Sequence, residues 1–167
     1  AQYPAHKWEK SNQILQGLRG VKEQEELDII QQACNITEKG FRRVLPFVKP
    51  NIMEYEIEAE YMHEFLRNKS DGWAYTPIIA SGYSDCVLHY IENNKVCKDG
   101  DLLLMDVGAK YANYSSDMTR TIPVNGRFSD RQKAVYNAVL RVKTAATKML
   151  APGVLWAEYQ KEVGKLM

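Results

Sequence analysis

The spacing of hydrophobic residues changes from helical to strand-like near residue 70 and back to helical near residue 130, and this change limits the fold more than any other feature. Apolar residues recur every three or four positions from Val21 to about Val48, where Lys49-Pro50 ends the pattern. A second helical stretch runs from about Met53 to Asn68. Because helices and strands come in separate runs and do not alternate, the sequence predicts an α+β fold.

Each helical stretch has an apolar face that we expect to be buried. The face of the first consists of Leu27, Ile30, Cys34, Thr37, Phe41, Val44 and Val48. The face of the second consists of Ile57, Tyr61, Met62, Phe65 and Leu66. Asn51 with Glu54 resembles an N-cap and its acidic partner at the start of this second helix.

A third helix is predicted from the capping box of Ser129 and Gln132 to about Leu150, and Pro152-Gly153 separates it from a last helix. The inward face of the third helix consists of Val135, Val139, Val142, Ala146 and Met149.

Strand-like runs occupy the middle of the chain. A short one covers residues 77–81, and two longer ones cover residues 101–108 and 114–124. A short polar break joins the longer runs, which predicts a β-hairpin.

Composition excludes several classes of protein. The 167 residues carry 22 basic and 21 acidic side chains, so no bulk positive charge is available to attract nucleic acid or an anionic membrane. No apolar stretch approaches the roughly 18 residues that a membrane-spanning helix needs. The cysteines Cys34, Cys86 and Cys97 are odd in number and form no C-x-x-C pair, which favours reduced thiols in a cytoplasmic protein.

Two aspartates in the predicted hairpin are candidate metal ligands. Asp106 ends a mostly apolar run, and a buried carboxylate is costly unless it is paired or bound to metal. If the hairpin turn centres near Tyr111, Asp117 faces Asp106 with Cβ atoms about 5 Å apart. A divalent cation between the two carboxylates would remove their repulsion. The alternative is an Asp in a turn or in a salt bridge with Arg120.

His89 is a weaker candidate when the pattern alone is considered. It lies in Val87-Leu88-His89-Tyr90, and a single histidine in an apolar stretch is more often a core residue than a ligand. No glycine-rich phosphate loop and no Ser-His-Asp order is present.

These residues together carry a resemblance. The run from Leu104 to Ala109, followed by Tyr114 and by Asp117-Met118-Thr119-Arg120-Thr121, resembles the metal-binding hairpin of the pita-bread metallopeptidases. That family includes aminopeptidase P, prolidase and methionine aminopeptidase. His89, seventeen residues before Asp106, also matches, and the stretch around it is most similar to aminopeptidase P.

The resemblance implies a fold and a division of the chain. Residues 19–167 would be the N-terminal half of a pita-bread catalytic domain, with helices packed on one face of an antiparallel sheet. Residues 1–18 would be a linker or the tail of a missing N-terminal domain. Because the family fold has two similar halves, we expect this chain alone to form a homodimer or to aggregate.

The family site, by the same resemblance, holds two divalent ions on two Asp, one His and two Glu. The Asp positions map onto Asp106 and Asp117, and the other three ligands would lie beyond residue 167. We expect Mn²⁺, with Co²⁺ or Zn²⁺ as alternatives, and weak or absent binding to this chain by itself.

The implied reaction is hydrolysis of the bond between an N-terminal residue and proline, so the expected partner is a peptide with proline at its second position. His89 would donate a hydrogen bond to the substrate near the developing oxyanion or the scissile nitrogen, which makes it both the catalytic and the substrate-binding candidate. Two alternatives stay open: a prolidase, which cleaves dipeptides, and a pita-bread module that binds without catalysis.

Overall fold

The computed structural model describes residues 10–167, and these form helices packed with two small antiparallel sheets. The helices are α1 (Asn12–Gly20), α2 (Gln24–Val44), α3 (Glu54–Arg67), α4 (Asp130–Met149) and α5 (Trp156–Gly164). The strands are β1 (Gly72–Trp73), β2 (Ile78–Ser81), β3 (Leu102–Val107), β4 (Ala109–Tyr111), β5 (Tyr114–Ser115) and β6 (Met118–Pro123).

The segment expected to be a linker is only partly described. Residues 1–9 lie outside the described residues. The part from Asn12 onward forms α1, a helix that the poor apolar periodicity did not indicate, and no residue of it is buried. Its role as a linker or as the tail of another domain stays a prediction.

The buried face of α2 differs from the predicted one because α2 and α3 approach each other at a glycine. A Cβ at Gly40 would lie 2.7 Å from a ring carbon of Phe65 and 2.8 Å from one of Tyr61, so only glycine allows this contact. The buried residues of α2 are Ala33, Ile36, Thr37, Gly40 and Val44. Leu27 and Cys34, expected inside, are therefore exposed.

The start of α3 also differs from the prediction. The backbone N–H of Met53 donates to the Glu56 carboxylate at 2.6 Å, so Met53 is the N-cap and Asn51 is not. Glu54, expected to be the acidic partner of an Asn51 cap, is instead fully buried with Ile57, Tyr61 and Phe65.

One sheet has the order β2-β3-β6, and all of its pairs are antiparallel. The other has the order β1-β4-β5 and lies beyond the end of β3. Leu103, Met105 and Val107 alternate along β3 and are fully buried in the core with α2 and α3. The predicted arrangement of helices on antiparallel strands is thus present in the described residues.

The hairpin register differs by two residues from the predicted one. Asp106 lies opposite Thr119, and Asp117 lies outside β6. The polar break expected to end the strand instead forms a second small hairpin, in which Tyr111 pairs with Tyr114. The turn therefore centres between Ala112 and Asn113 and not at Tyr111.

The capping box at the start of α4 is confirmed. Ser129 Oγ accepts from the Gln132 backbone at 3.3 Å, and the Ser129 N–H donates to the Gln132 side chain at 2.8 Å. On the predicted inward face of α4, Ala146 is buried, Val142 and Met149 are half-buried, and Val135 and Val139 are exposed. No helix within residues 10–167 is both long and apolar enough to cross a membrane.

Candidate metal centre

Asp106 lies on the less buried side of β3. Its neighbours Met105 and Val107 point into the core, and strand alternation turns the Asp106 side chain to the opposite face with Leu102 and Leu104. Asp106 is half-buried, so its carboxylate is only partly removed from water. The apolar run predicted a buried Asp106 carboxylate, and the observed burial of this side chain is only partial.

Asp117 is exposed, and its position is set by the buried residue before it. Ser116 Oγ lies 2.7 Å from Thr37 Oγ1 of α2, and it donates to the backbone oxygen of Ala109 at 2.9 Å. The Ala109 N–H in turn donates to the Thr37 and Ser116 hydroxyls at 2.9 and 3.0 Å. These hydrogen bonds fix Ser116, and with it the backbone directly before Asp117, against α2 and β4.

Gly108 lets the two chain segments that carry Asp106 and Asp117 approach each other closely. A Cβ at this position would overlap the carbonyl oxygen of Ser116. Because glycine has no Cβ, the chain directly after β3 can pass against the chain directly before Asp117. The close approach therefore joins the backbone around Asp106 to the backbone around Asp117.

Tyr75 contacts both carboxylates and was not identified from the sequence. Its hydroxyl lies 2.7 Å from Asp106 Oδ1 and 3.1 Å from Asp117 Oδ1. Burial raises the pKa of Tyr75, and the hydrogen bond to Asp106 raises it further, so the phenol stays neutral and keeps a proton to donate. Tyr75 lies between β1 and β2 with no periodic pattern around it, so a single sequence holds no signal for its role.

Arg120 does not neutralise Asp117 as the alternative interpretation required. Its guanidinium donates to the Thr119 carbonyl at 2.8 Å, and no ion pair joins Arg120 to Asp117 in the described part of the chain. Among residues 10–167, the two carboxylates thus converge on one phenol oxygen, and no basic side chain forms an ion pair with either.

The donor set suits a divalent ion but is incomplete. Carboxylate oxygens are ligands that Mn²⁺ and similar hard cations prefer. Within residues 10–167 no group of three or more His, Cys, Asp or Glu side chains is close enough to hold a metal. The described residues therefore offer two carboxylates at this place, which do not complete a metal site by themselves.

His89 lies on the segment that leaves β2, and its side chain is exposed. It is therefore not the satisfied core histidine of the alternative interpretation. Its φ of 56° is in the left-handed region, which non-glycine residues adopt infrequently. No hydrogen bond joins His89 to Asp106 or Asp117 among residues 10–167, so its part in the reaction stays a prediction.

Residues 28–167 match the model of metallopeptidase family M24, and the chain belongs to this family. It is 41% identical over 140 residues to an Xaa-Pro aminopeptidase of Haemophilus influenzae, an alignment that covers 84% of this chain and 33% of that protein. It is 36% identical over 141 residues to an Xaa-Pro dipeptidase of Rattus norvegicus, covering 81% and 29%. The chain thus spans about a third of the length of these curated relatives.

Solved structures agree with this assignment. Aminopeptidase PepP of Pseudomonas aeruginosa superposes with a TM-score of 0.89 at 37% identity, over 93% of this chain and 35% of that one. A zinc-substituted Escherichia coli aminopeptidase P in complex with product gives 0.91 at 35% identity, over 95% and 36%. The predicted pita-bread fold and the resemblance to aminopeptidase P are confirmed, and the metallopeptidase family implies divalent metal ions.

Proposed function

We propose that residues 19–167 form the first half of the catalytic domain of an Xaa-Pro aminopeptidase. The observation that carries the proposal is the convergence of Asp106 and Asp117 on the Tyr75 hydroxyl, in a chain that belongs to a metallopeptidase family. The relatives named Xaa-Pro aminopeptidase support the choice of substrate, a peptide with proline at its second position.

The residues of this chain would hold two divalent ions together with a histidine and two glutamates from the rest of the enzyme. Mn²⁺ is our first choice, and Zn²⁺ or Co²⁺ are alternatives, since a zinc-substituted form of the Escherichia coli enzyme exists. Such ions lower the pKa of bound water and polarise a carbonyl. Two carboxylates cannot complete a shell of about four to six ligands, so this chain alone should bind metal weakly.

The remaining roles fall to side chains described above. Asp106 and Asp117 supply carboxylate oxygens, and the neutral Tyr75 phenol fixes the orientation of both. His89, exposed at the surface, would donate a hydrogen bond to the substrate where negative charge develops. That contact strengthens in the transition state, so it would act on the rate of the chemical step.

The test uses the complete enzyme, loaded with Mn²⁺, and a tripeptide that begins Ala-Pro. We expect release of the N-terminal alanine, and we expect Asp117→Asn to abolish it and to lower the bound metal. Asp71→Asn is the matched control, because Asp71 is also exposed and, among the described residues, its side chain makes no hydrogen bond to Asp106, Asp117 or Tyr75. Wild-type activity of Asp117→Asn would contradict the metal assignment.

Prolidase is the second candidate, because relatives named Xaa-Pro dipeptidase match at 36% identity. The same assay separates the two. An enzyme that cleaves the Ala-Pro dipeptide and leaves the tripeptide intact is a prolidase. An enzyme that cleaves neither, although it binds metal, is a binding module without catalysis.

We further propose a reducing compartment, the cytoplasm, for this protein. Cys34, Cys86 and Cys97 are all free thiols, two exposed and one buried. An oxidising compartment would expose Cys34 and Cys86 to disulfide exchange. The near balance of 22 basic and 21 acidic residues supports the absence of a nucleic acid or anionic membrane partner.

A further inference from the structure

A buried glutamate links the segment that carries His89 to the core. Glu54, the first residue of α3, has no exposed surface. Its Oε1 accepts from the Ser81 N–H and the Ser81 hydroxyl, both at 2.7 Å. Its Oε2 accepts from the Tyr90 hydroxyl at 2.7 Å and from the Lys95 N–H at 3.0 Å. Four donors thus use the four lone-pair positions of one carboxylate.

These four hydrogen bonds attach Glu54 to three residues: one directly before an irregular segment and two within it. Ser81 is the last residue of β2, Tyr90 directly follows His89, and Lys95 lies near the end of the segment. The segment from Gly82 to Lys95 contains only a short 3₁₀ helix, Gly82–Cys86, so its shape depends on such side-chain anchors.

Further anchors fix both ends of the segment but not its middle. Gly82 has a φ of 56°, and a Cβ there would lie 2.8 Å from the Asp101 carboxylate. Asn93 accepts from the Ile79 N–H at 2.9 Å and donates to Glu58 at 2.9 Å. Between them, Tyr83 and Leu88 are 89% and 88% exposed, whereas Tyr90 is 7% exposed. Ser84 is also buried, at 8% exposed, so Tyr90 and Ser84 both hold the segment against the core between its ends, and Tyr90 is the one next to His89.

The position of His89 depends on this link. His89 has a left-handed backbone, which costs free energy unless neighbouring residues hold it in place. Burial raises the pKa of Tyr90, and its hydrogen bond to Glu54 adds to the effect, so the phenol remains a donor. Ile78 of β2 pairs with Asp106, so the same strand that leads into the segment also borders the metal ligand.

An apolar side chain in place of Glu54 would leave the Ser81 and Lys95 N–H groups without their acceptor, so the carboxylate fixes the shape of this segment. We propose that Glu54 is a positioning residue for peptide hydrolysis: through the Tyr90 hydroxyl it holds His89 where His89 contacts the substrate. This inference rests on the proposed function. It assigns no contact between Glu54 and the substrate.

The experiment is a double-mutant cycle in the complete enzyme between Tyr90→Phe and His89→Ala. Tyr90→Phe removes one hydroxyl and leaves the other three bonds of Glu54, so the fold should survive. Tyr114→Phe is the matched control, because the Tyr114 hydroxyl also donates to a glutamate, Glu26, at 2.6 Å, away from this segment.

With His89 present, we expect Tyr90→Phe to lower kcat/KM about tenfold or more, mainly through kcat, since a small misplacement of a transition-state contact has effects of this order. In the His89→Ala background the same change should cost less than about twofold, because there is no histidine left to position. Tyr114→Phe should change kcat/KM by the same factor in both backgrounds, because its hydroxyl bonds Glu26 and not the segment that carries His89. Equal losses from Tyr90→Phe in both backgrounds, or no loss in either, would overturn the proposal.

Hydrogen exchange gives a readout that needs no activity. We expect amides of residues 82–95 to exchange faster in Tyr90→Phe than in wild type or Tyr114→Phe, by more than the fall in global stability from the lost bond to a buried carboxylate accounts for. Unchanged exchange in that segment would refute the role of Glu54 even in an active enzyme. If the complete enzyme cleaves no Xaa-Pro peptide, the proposed function fails, and faster exchange still supports the link from Glu54 to the His89 segment.

Discussion

The approach of the two aspartates depends at the residue scale on Gly108. The chain before Asp117 passes so close to Gly108 that no other side chain fits without a backbone shift. A shift of Ser116 would also disturb its bonds to Thr37 and Ala109. The geometry of the two proposed metal ligands and the stability of the fold are therefore coupled at this position.

We expect Gly108→Ala to lower the free energy of unfolding by about 1–3 kcal/mol, the usual cost of overpacking, and to reduce bound metal in the complete enzyme. Denaturant unfolding and metal analysis would measure the two effects. Gly17→Ala is the control, since Gly17 lies in α1 with open space around it and should gain up to about 1 kcal/mol. If Gly108→Ala is as stable as wild type, the backbone around Gly108 and Ser116 can shift without cost, and the prediction is wrong.

Cys97 is a second residue with a measurable consequence. Burial raises the pKa of its thiol from 9.0 to about 11. Below pH 9 the thiol is protonated in both states, so stability does not depend on it. Between pH 9 and 11 the unfolded state loses the proton more readily, and stability falls as pH rises.

The expected size of this fall is about 2–3 kcal/mol, from two pKa units at 1.36 kcal/mol each. Buried tyrosines also titrate at high pH, so the comparison is between wild type and Cys97→Ala. The unfolding free energy of wild type minus that of Cys97→Ala should decrease from pH 9 to pH 11. Denaturant titration at each pH would measure it. A constant difference would contradict the burial of the thiol.

At the scale of elements, the β4–β5 turn sets the register of the whole hairpin. Ala112 and Asn113 have φ values of 47° and 66°, the conformation that a type I′ turn requires. Asparagine tolerates this conformation, whereas alanine is strained there by roughly 1 kcal/mol. The turn thus places Asp106 opposite Thr119 at a small local cost.

We expect Ala112→Asn to raise the free energy of unfolding by about 0.5–1 kcal/mol, because it relieves this strain. Ala134→Asn, the same change at an exposed position inside α4, should lower it by up to about 0.7 kcal/mol through helix propensity. A higher unfolding midpoint for Ala112→Asn and a lower one for Ala134→Asn would support the left-handed backbone of Ala112. A destabilising Ala112→Asn would contradict it.

At the scale of the whole molecule, α4 and α5 present apolar side chains that the described residues do not cover. Val135 and Val139 on α4 are 57% and 62% exposed, and Trp156 on α5 is 67% exposed. In addition, β2 and β6 are outer strands of their sheet. Such surfaces drive association. The chain spans about a third of its relatives' length, so we propose that further chain covers this surface in the complete enzyme.

For this chain expressed alone we expect a homodimer or aggregation, measured by light scattering coupled to size exclusion. Val139→Lys should weaken association, because it places a charge in the apolar face. Val21→Lys should leave association unchanged, since Val21 is 83% exposed in the connection between α1 and α2. A sharp monomer peak near 19.2 kDa for the wild-type chain would contradict the prediction.

Features that depend on neighbours in the sequence were predictable. The capping box of Ser129 and Gln132 and the approximate extent of α3 follow from local hydrogen bonding and periodicity, which a short stretch of chain decides by itself. Asp106 was proposed as a metal ligand because a carboxylate at the end of an apolar run is unusual, and Asp117 because the expected hairpin brought it near Asp106. Their spacing also resembles a family motif, and their role as ligands stays a prediction.

Only the tertiary structure decided what depends on distant parts of the chain. The face that α2 buries is fixed by its contact with α3 at Gly40. The hairpin register is fixed by the position of the β4–β5 turn, which the spacing of apolar residues does not reveal. Glu54 and Tyr75 acquire their roles from partners 27 to 42 residues away. A hydrogen bond between such residues leaves no local pattern, because the free energy that selects it arises only when the core has packed.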